Sequence, residues 1–135
     1  MLITREVDYA LRIISALSSG ELCTASSICE QERAPLQFGY KILKKLAKGG
    51  LIEITRGKYG GCRLSCNLKE TSLYDLIYIM GDKTIVTECM TNGYTCKRKA
   101  KNNNRCTIHI NMARIQKIID DQLKTTSLHS IVHED

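Results

Sequence analysis

The run from Pro35 to Leu64, PLQFGYKILKKLAKGGLIEITRGKYGGCRL, decides the fold. Proline at a first helical position loses nothing, because the N–H it lacks has no helical partner there. At about 100° per residue, Leu36, Gly39, Ile42, Leu43, Leu46 and Ala47 fall on one side of the helix it opens. Gln37, Lys41, Lys44, Lys45 and Lys48 fall on the other. Gly49-Gly50 stops the helix, and the period then changes. Leu51–Arg56, with Ile52 and Ile54 alternating, predicts a strand, and Cys62–Ser65 a strand returning along it. Gly57-Lys58-Tyr59-Gly60-Gly61 between them is a glycine-rich hairpin turn.

Two shorter helices are expected upstream. Thr4 can cap one that places Val7, Ala10, Leu11, Ile14 and Leu17 on one face and ends by Gly20. Thr24 can cap a second over Ala25–Glu30. Helix, helix, basic helix and hairpin is the order of a winged helix-turn-helix. Downstream, Ser72-Leu73-Tyr74-Asp75 has the form of a capping box for a fourth helix that stops at Gly81. Residues 82–107 show no periodicity and hold Gly93 and Asn102-Asn103-Asn104. A long last helix follows, with Ile108, Met112, Ile115, Ile119 and Leu123 forming a near-heptad seam suited to a partner helix. The expected fold is therefore mainly α with a small two-stranded β wing. Three parts are expected: a DNA-binding domain at 1–81, a cysteine-bearing loop at 82–107, and a dimerisation helix with a C-terminal tail at 108–135.

The charge agrees with that order. The chain of 135 residues carries a formal charge of +6, which favours a polyanionic partner. A basic helical face alone is commonly just solvated surface. Here it is joined by Arg56, Lys58 and Arg63 on or beside a projecting hairpin whose glycines permit close backbone approach. A helix entering the major groove of double-stranded DNA would read bases from near its start, through Gln37, Tyr40 and Lys41. Lys44, Lys45 and Lys48 would grip phosphates, and Arg56 would reach a minor groove from the wing. The apolar stretch Ala10–Leu17 is interrupted by Arg12, and no run approaches the length of a membrane span. A cytoplasmic chain with no membrane partner is expected.

Seven cysteines are many for this length, and an odd number points to metal or redox chemistry more than to a disulfide framework. Cys23, Cys29, Cys62 and Cys66 read as small hydrophobes. Cys89, Cys96 and Cys106 differ. They share the aperiodic segment with Lys97, Arg98, Lys99, Lys101 and Arg105, whose charge lowers thiol pKa.

Three stretches resemble the Rrf2 family of bacterial winged-helix regulators: ITREVDYALRII (3–14), LKKLAKGGLIEITRGKYGGCRL (43–64) and SLYDLIYIMGD (72–82). The resemblance implies a homodimer with crossing last helices and a role as transcriptional repressor or activator. It also implies an iron–sulfur cluster on Cys89, Cys96 and Cys106, soft ligands that suit such a cluster. The spacing C-x6-C-x9-C is wider than the family's usual one, so two-iron and four-iron types both stay open. For a fourth ligand the resemblance offers Asp8, supplied across the dimer, and His109, in a C-x2-H arrangement with Cys106. Zinc and a cluster-free thiol switch are the competing readings of the same cysteines. An enzyme is not expected: Cys106 and His109 lack an oxyanion-stabilising motif and a third orienting group.

Overall fold

The structure is a computed structural model and describes residues 1–134. Its elements are α1 (Arg5–Ala16), α2 (Ala25–Gln31), α3 (Leu36–Lys48), β1 (Ile52–Thr55), β2 (Gly61–Leu64), α4 (Leu73–Ile79), α5 (Lys97–Lys101), α6 (Thr107–Thr125) and α7 (Leu128–Val132), with one 3-10 turn at Glu88–Met90. This is the expected winged helix-turn-helix followed by a long helix.

Local capping chemistry sets the helix starts. Thr4 Oγ1 accepts from the Val7 N–H at 3.3 Å, and Thr24 Oγ1 from the Ser27 N–H at 3.1 Å. Ser72 and Asp75 form the reciprocal capping box at the start of α4. Pro35 caps α3 from just outside, one position earlier than the sequence suggests. The wing strands pair antiparallel with Ile52 opposite Leu64 and Thr55 opposite Gly61; β1 is a residue shorter at each end than expected, and β2 starts and ends one residue earlier.

The core joins α1, α2, α3, the wing base and α4. Val7, Ala10, Ile13, Ile14 and Leu17 are all buried, whereas Leu11 is only half-buried. The buried arc widens to Ile13 because α1 packs on α2 and α3 and also on α7. The fully buried Val, Ile and Leu side chains contribute about 1.5–3 kcal/mol each on burial. Where α2 crosses α3, Gly39 permits the approach: a Cβ there would lie 2.2 Å from the Cys29 Sγ. Leu36, expected on the apolar side of α3, is exposed because it starts the helix beyond its crossing with α1 and α2.

Three expectations are corrected. The segment 82–107 is not wholly irregular, since it holds the 3-10 turn and α5. The expected C-terminal tail contains a further packed helix. Ser127 caps α7, Leu128 is fully buried, and the Leu128 and His129 N–H groups donate to the Thr71 and Leu68 carbonyls at 2.8 and 3.0 Å. Nor is the α6 seam uniform. Leu123 and Ile119 pack on the chain's own core through the contact of α6 with α4, while Ile108 and Ile115 are exposed, together with Ile118 outside the expected seam.

Candidate nucleic-acid interface and cysteine pocket

The outward face of α3 divides into two sets of side chains. Tyr40 and Lys44 point toward the wing and, with Arg56 and Thr55, line a cavity of about 470 Å³ between α3, the N-terminal end of α2 and the hairpin. Gln37 is exposed near the start of the same helix. Lys58 and Tyr59 occupy the wing tip, with the Lys58 ammonium 5.6 Å from the Tyr59 ring centre. Arg63 is exposed on β2 directly opposite Glu53 of β1, which offsets part of its charge.

The second set turns toward α1. Both Lys41 and Lys45 donate to the Glu6 carboxylate, and Lys45 also donates to the Met80 carbonyl at 2.9 Å. Hydrogen bonds from the two ammonium groups hold the Glu6 carboxyl below its ordinary pKa. Lys48 lies beside Lys45 over a recess bounded by Gly49, Ile79, Met80 and Gly81, away from the wing. The residues singled out for DNA contact are thus brought onto one helix and one hairpin, but two of the lysines carry intramolecular partners. Sequence reasoning missed Tyr59, 84% exposed at the wing tip. Its place in a glycine-flanked turn was the available signal.

Cys89, Cys96, Cys106 and His109 come together around a cavity of about 200 Å³, with Tyr94, Arg98, Lys99 and Ile108. Two of the thiols stand at helix starts. Cys96 caps α5 and accepts from the Lys99 N–H at 3.4 Å. Cys106 occupies the N-cap position of α6, where the His109 and Ile108 N–H groups, then the Arg98 guanidinium, hold its thiol below the usual range. Cys89 Sγ lies 2.9 Å from Thr87 Oγ1. Among the described residues, no three Cys, His, Asp or Glu side chains converge closely enough to chelate a single ion. A multi-iron cluster makes a different demand, since its protein ligands are divided among separate irons. Three thiols and an imidazole facing one cavity, amid cationic side chains that favour thiolate, suit that donor chemistry. Asp8 does not line this cavity; its carboxylate pairs with Arg12 at 2.9 Å. The remaining cysteines are free thiols, Cys29 and Cys62 buried and Cys23 and Cys66 half-buried.

The helix-turn-helix and its hairpin define a winged-helix protein of the transcription-regulator class. The chain belongs to the Rrf2 family, described as iron-dependent transcriptional regulators, whose model matches residues 3–134. It is 30% identical over 95 residues to Protein aau3 of Rhizobium meliloti (strain 1021), a match covering 69% of this chain and 62% of that one. It is 27% identical over 92 residues to the HTH-type transcriptional regulator NsrR of Bacillus subtilis (strain 168), covering 66% and 63%. The match thus spans less than two thirds of the length of either curated relative. Among solved structures, CymR, the global cysteine regulator of B. subtilis, superposes with a TM-score of 0.71 at 20% identity, over 98% of this chain and 96% of that one. That likeness shows the shared fold. Among the described residues, no helix is long and apolar enough to cross a membrane.

Proposed function

We propose that this chain is a homodimeric transcriptional regulator that binds duplex DNA with α3 and the wing and senses redox, nitric-oxide or iron status through an iron–sulfur cluster. The observation that carries the sensing part is the single cavity faced by Cys89, Cys96, Cys106 and His109. In this reading the three thiolates and the His109 imidazole hold the cluster. When bound, it would supply redox and ligand-exchange chemistry toward oxygen or nitric oxide.

The chain's own residues join that segment to the DNA-facing helix. Gln116 of α6 donates to the Thr84 carbonyl and accepts from the Val86 N–H, both at 2.8 Å, and Thr84 donates to Asp120 at 2.6 Å. Just upstream, Asp82 accepts from Thr4 at 2.5 Å, and Met80 accepts from Lys45 of α3. A shift of the cysteine segment therefore pulls on the start of α1, on the middle of α6 and, through Lys45, on α3. Dimerisation is supported by the exposed Ile108, Ile115 and Ile118 on α6, the last of them 68% exposed. DNA contact is assigned to Gln37, Tyr40, Lys41, Lys44, Lys45, Lys48, Arg56, Lys58 and Arg63, with Tyr40, Lys44 and Arg56 at its centre.

The test is anaerobic purification followed by iron and sulfide analysis, visible spectroscopy and binding to genomic operator fragments before and after cluster removal. Brown protein whose DNA affinity changes on removal is expected. Colourless, iron-free protein after anaerobic reconstitution would overturn the cluster and leave the regulator. A second reading, the thiol switch, is favoured by the half-buried Cys106 at the start of α6, whose thiol the neighbouring N–H groups and the Arg98 guanidinium hold below the usual range. It requires that iron-free protein change its DNA affinity on mild oxidation, and that Cys106→Ser abolish the change.

A further inference from the structure

A second group of thiols lies at the base of the wing, outside the cavity of Cys89, Cys96 and Cys106. The segment leading into α2 pairs antiparallel with β2 at a single bridge, and the two residues facing each other there are Cys23 and Cys62. They exchange both backbone hydrogen bonds, the Cys23 N–H to the Cys62 carbonyl at 2.9 Å and the Cys62 N–H to the Cys23 carbonyl at 2.6 Å. Directly opposed residues of an antiparallel pair send their side chains to the same face. In such a pair the Cα atoms are about 5.5 Å apart, inside the span of about 4.4–6.8 Å that a disulfide bridges. Gly61 makes the approach possible: a Cβ there would sit 2.7 Å from the Cys23 carbonyl oxygen. The two thiols differ in exposure, Cys23 being half-buried and Cys62 buried. Burial, and then the nearby Cys23 and Cys29 sulfurs, push the Cys62 thiol up.

We propose that Cys23 and Cys62 are a redox modification site that closes to a reversible intramolecular disulfide under peroxide, separately from Cys89, Cys96 and Cys106. Cys23 meets the oxidant first, being the more exposed. Its thiolate sulfur attacks a peroxide oxygen, the O–O bond breaks and a sulfenic acid forms as hydroxide leaves. The Cys62 sulfur then attacks the Cys23 sulfur, the S–S bond forms, and the sulfenic oxygen leaves with the Cys62 proton. Overall, two thiols give up two electrons and one hydrogen peroxide becomes two waters. Because this pair is hydrogen-bonded, its side chains start farther apart than in the alternate pairing, so closure twists the bridge and the bond stays easy to reduce. The bond ties the lead-in to α2 to the strand beneath Arg56, which registers oxidation at the wing itself.

The experiment treats the full chain with hydrogen peroxide, blocks remaining thiols with maleimide in acid and digests with trypsin without reductant. Cleavage places Cys23 and Cys29 in residues 13–33, Cys62 in 59–63 and Cys66 outside both. A linked 13–33/59–63 peptide is expected in the wild type and in Cys29→Ala, released by dithiothreitol and lost in Cys23→Ser. A link that persists in Cys23→Ser, or a Cys62 that stays fully alkylated in the wild type, would overturn the proposal. Cys23 is half-exposed, so its serine variant is expected to fold; an unchanged melting temperature checks this.

Discussion

Lys45, on the helix assigned to DNA, gives its ammonium to Glu6, thirty-nine positions earlier in the chain, and Lys41 joins the same carboxylate from one turn away. Glu6 therefore holds two cations that would otherwise be free for phosphate. Under the DNA-binding reading, Glu6→Gln should tighten binding several-fold at low salt. It should also steepen the fall of log Kobs with log salt by about one to two units, because each phosphate contact adds about 0.9. Fluorescence anisotropy on one duplex across a salt series measures both. An unchanged slope would mean that Lys41 and Lys45 never reach the backbone.

The same carboxylate gives a pH dependence. Its folded-state pKa is lowered, chiefly by hydrogen bonds from Lys41 and then Lys45. A depressed carboxylate stabilises the fold above its unfolded value, about 4.3. That contribution is lost as pH falls below this value and through the lower folded one. Wild type should therefore melt higher than Glu6→Gln at pH 6, and the gap should shrink between pH 5 and pH 3. Thermal melts at matched ionic strength test the trend. A gap that widens on acidification would reverse the assignment.

Gly39→Ala should destabilise the protein although alanine favours helix by about 1 kcal/mol. The new methyl meets the Cys29 Sγ at 2.2 Å in a packed crossing, and overpacking of this kind costs about 1–3 kcal/mol. Adding Cys29→Ala removes the obstructing sulfur and should restore most of the loss. Urea denaturation of the two single variants and the double variant gives the coupling.

Much of this architecture was legible because its signals are local. Thr4, Thr24 and Ser72 each cap the helix they precede, and the change of period after Gly49-Gly50 marks the wing. What stayed hidden depends on residues far apart in sequence. Glu6 gives no local sign that it faces Lys41 and Lys45. The short α5 and α7 have no stability of their own for a periodic pattern to report. The cysteine segment was legible by residue type and spacing, but the cavity joining Cys89 to His109 is a product of tertiary packing. Cys62, read as a small hydrophobe, is indeed buried, yet its pairing with Cys23 depends on a bridge thirty-nine residues apart in sequence.

The C-terminal helix α7 offers a plain stability test. Leu128 is fully buried against the shared core, and α7 packs on α1. Leu128→Ala should cost about 2–5 kcal/mol, as large-to-small core changes do. A denaturant midpoint within error of wild type would show that α7 adds nothing to the stability of the fold.

His109 and Asp8 make opposite predictions as fourth ligand of the proposed cluster. His109 lines the cavity with the three thiols, whereas Asp8 on α1 is held by Arg12. His109→Ala should shift the visible spectrum of anaerobically reconstituted protein and weaken iron retention against a chelator by at least about tenfold, the loss that even an outer-shell change can bring. Asp8→Ala should leave both near wild type, since it removes only a half-exposed ion pair. The reverse pattern would transfer the role to Asp8 of the partner subunit, reached across the dimer that Ile108, Ile115 and Ile118 are proposed to form. Loss of iron in neither variant would leave the three thiolates as the only protein ligands, with the fourth position open to an exchangeable small molecule. Such an open position is itself a route by which nitric oxide or oxygen could reach the metal.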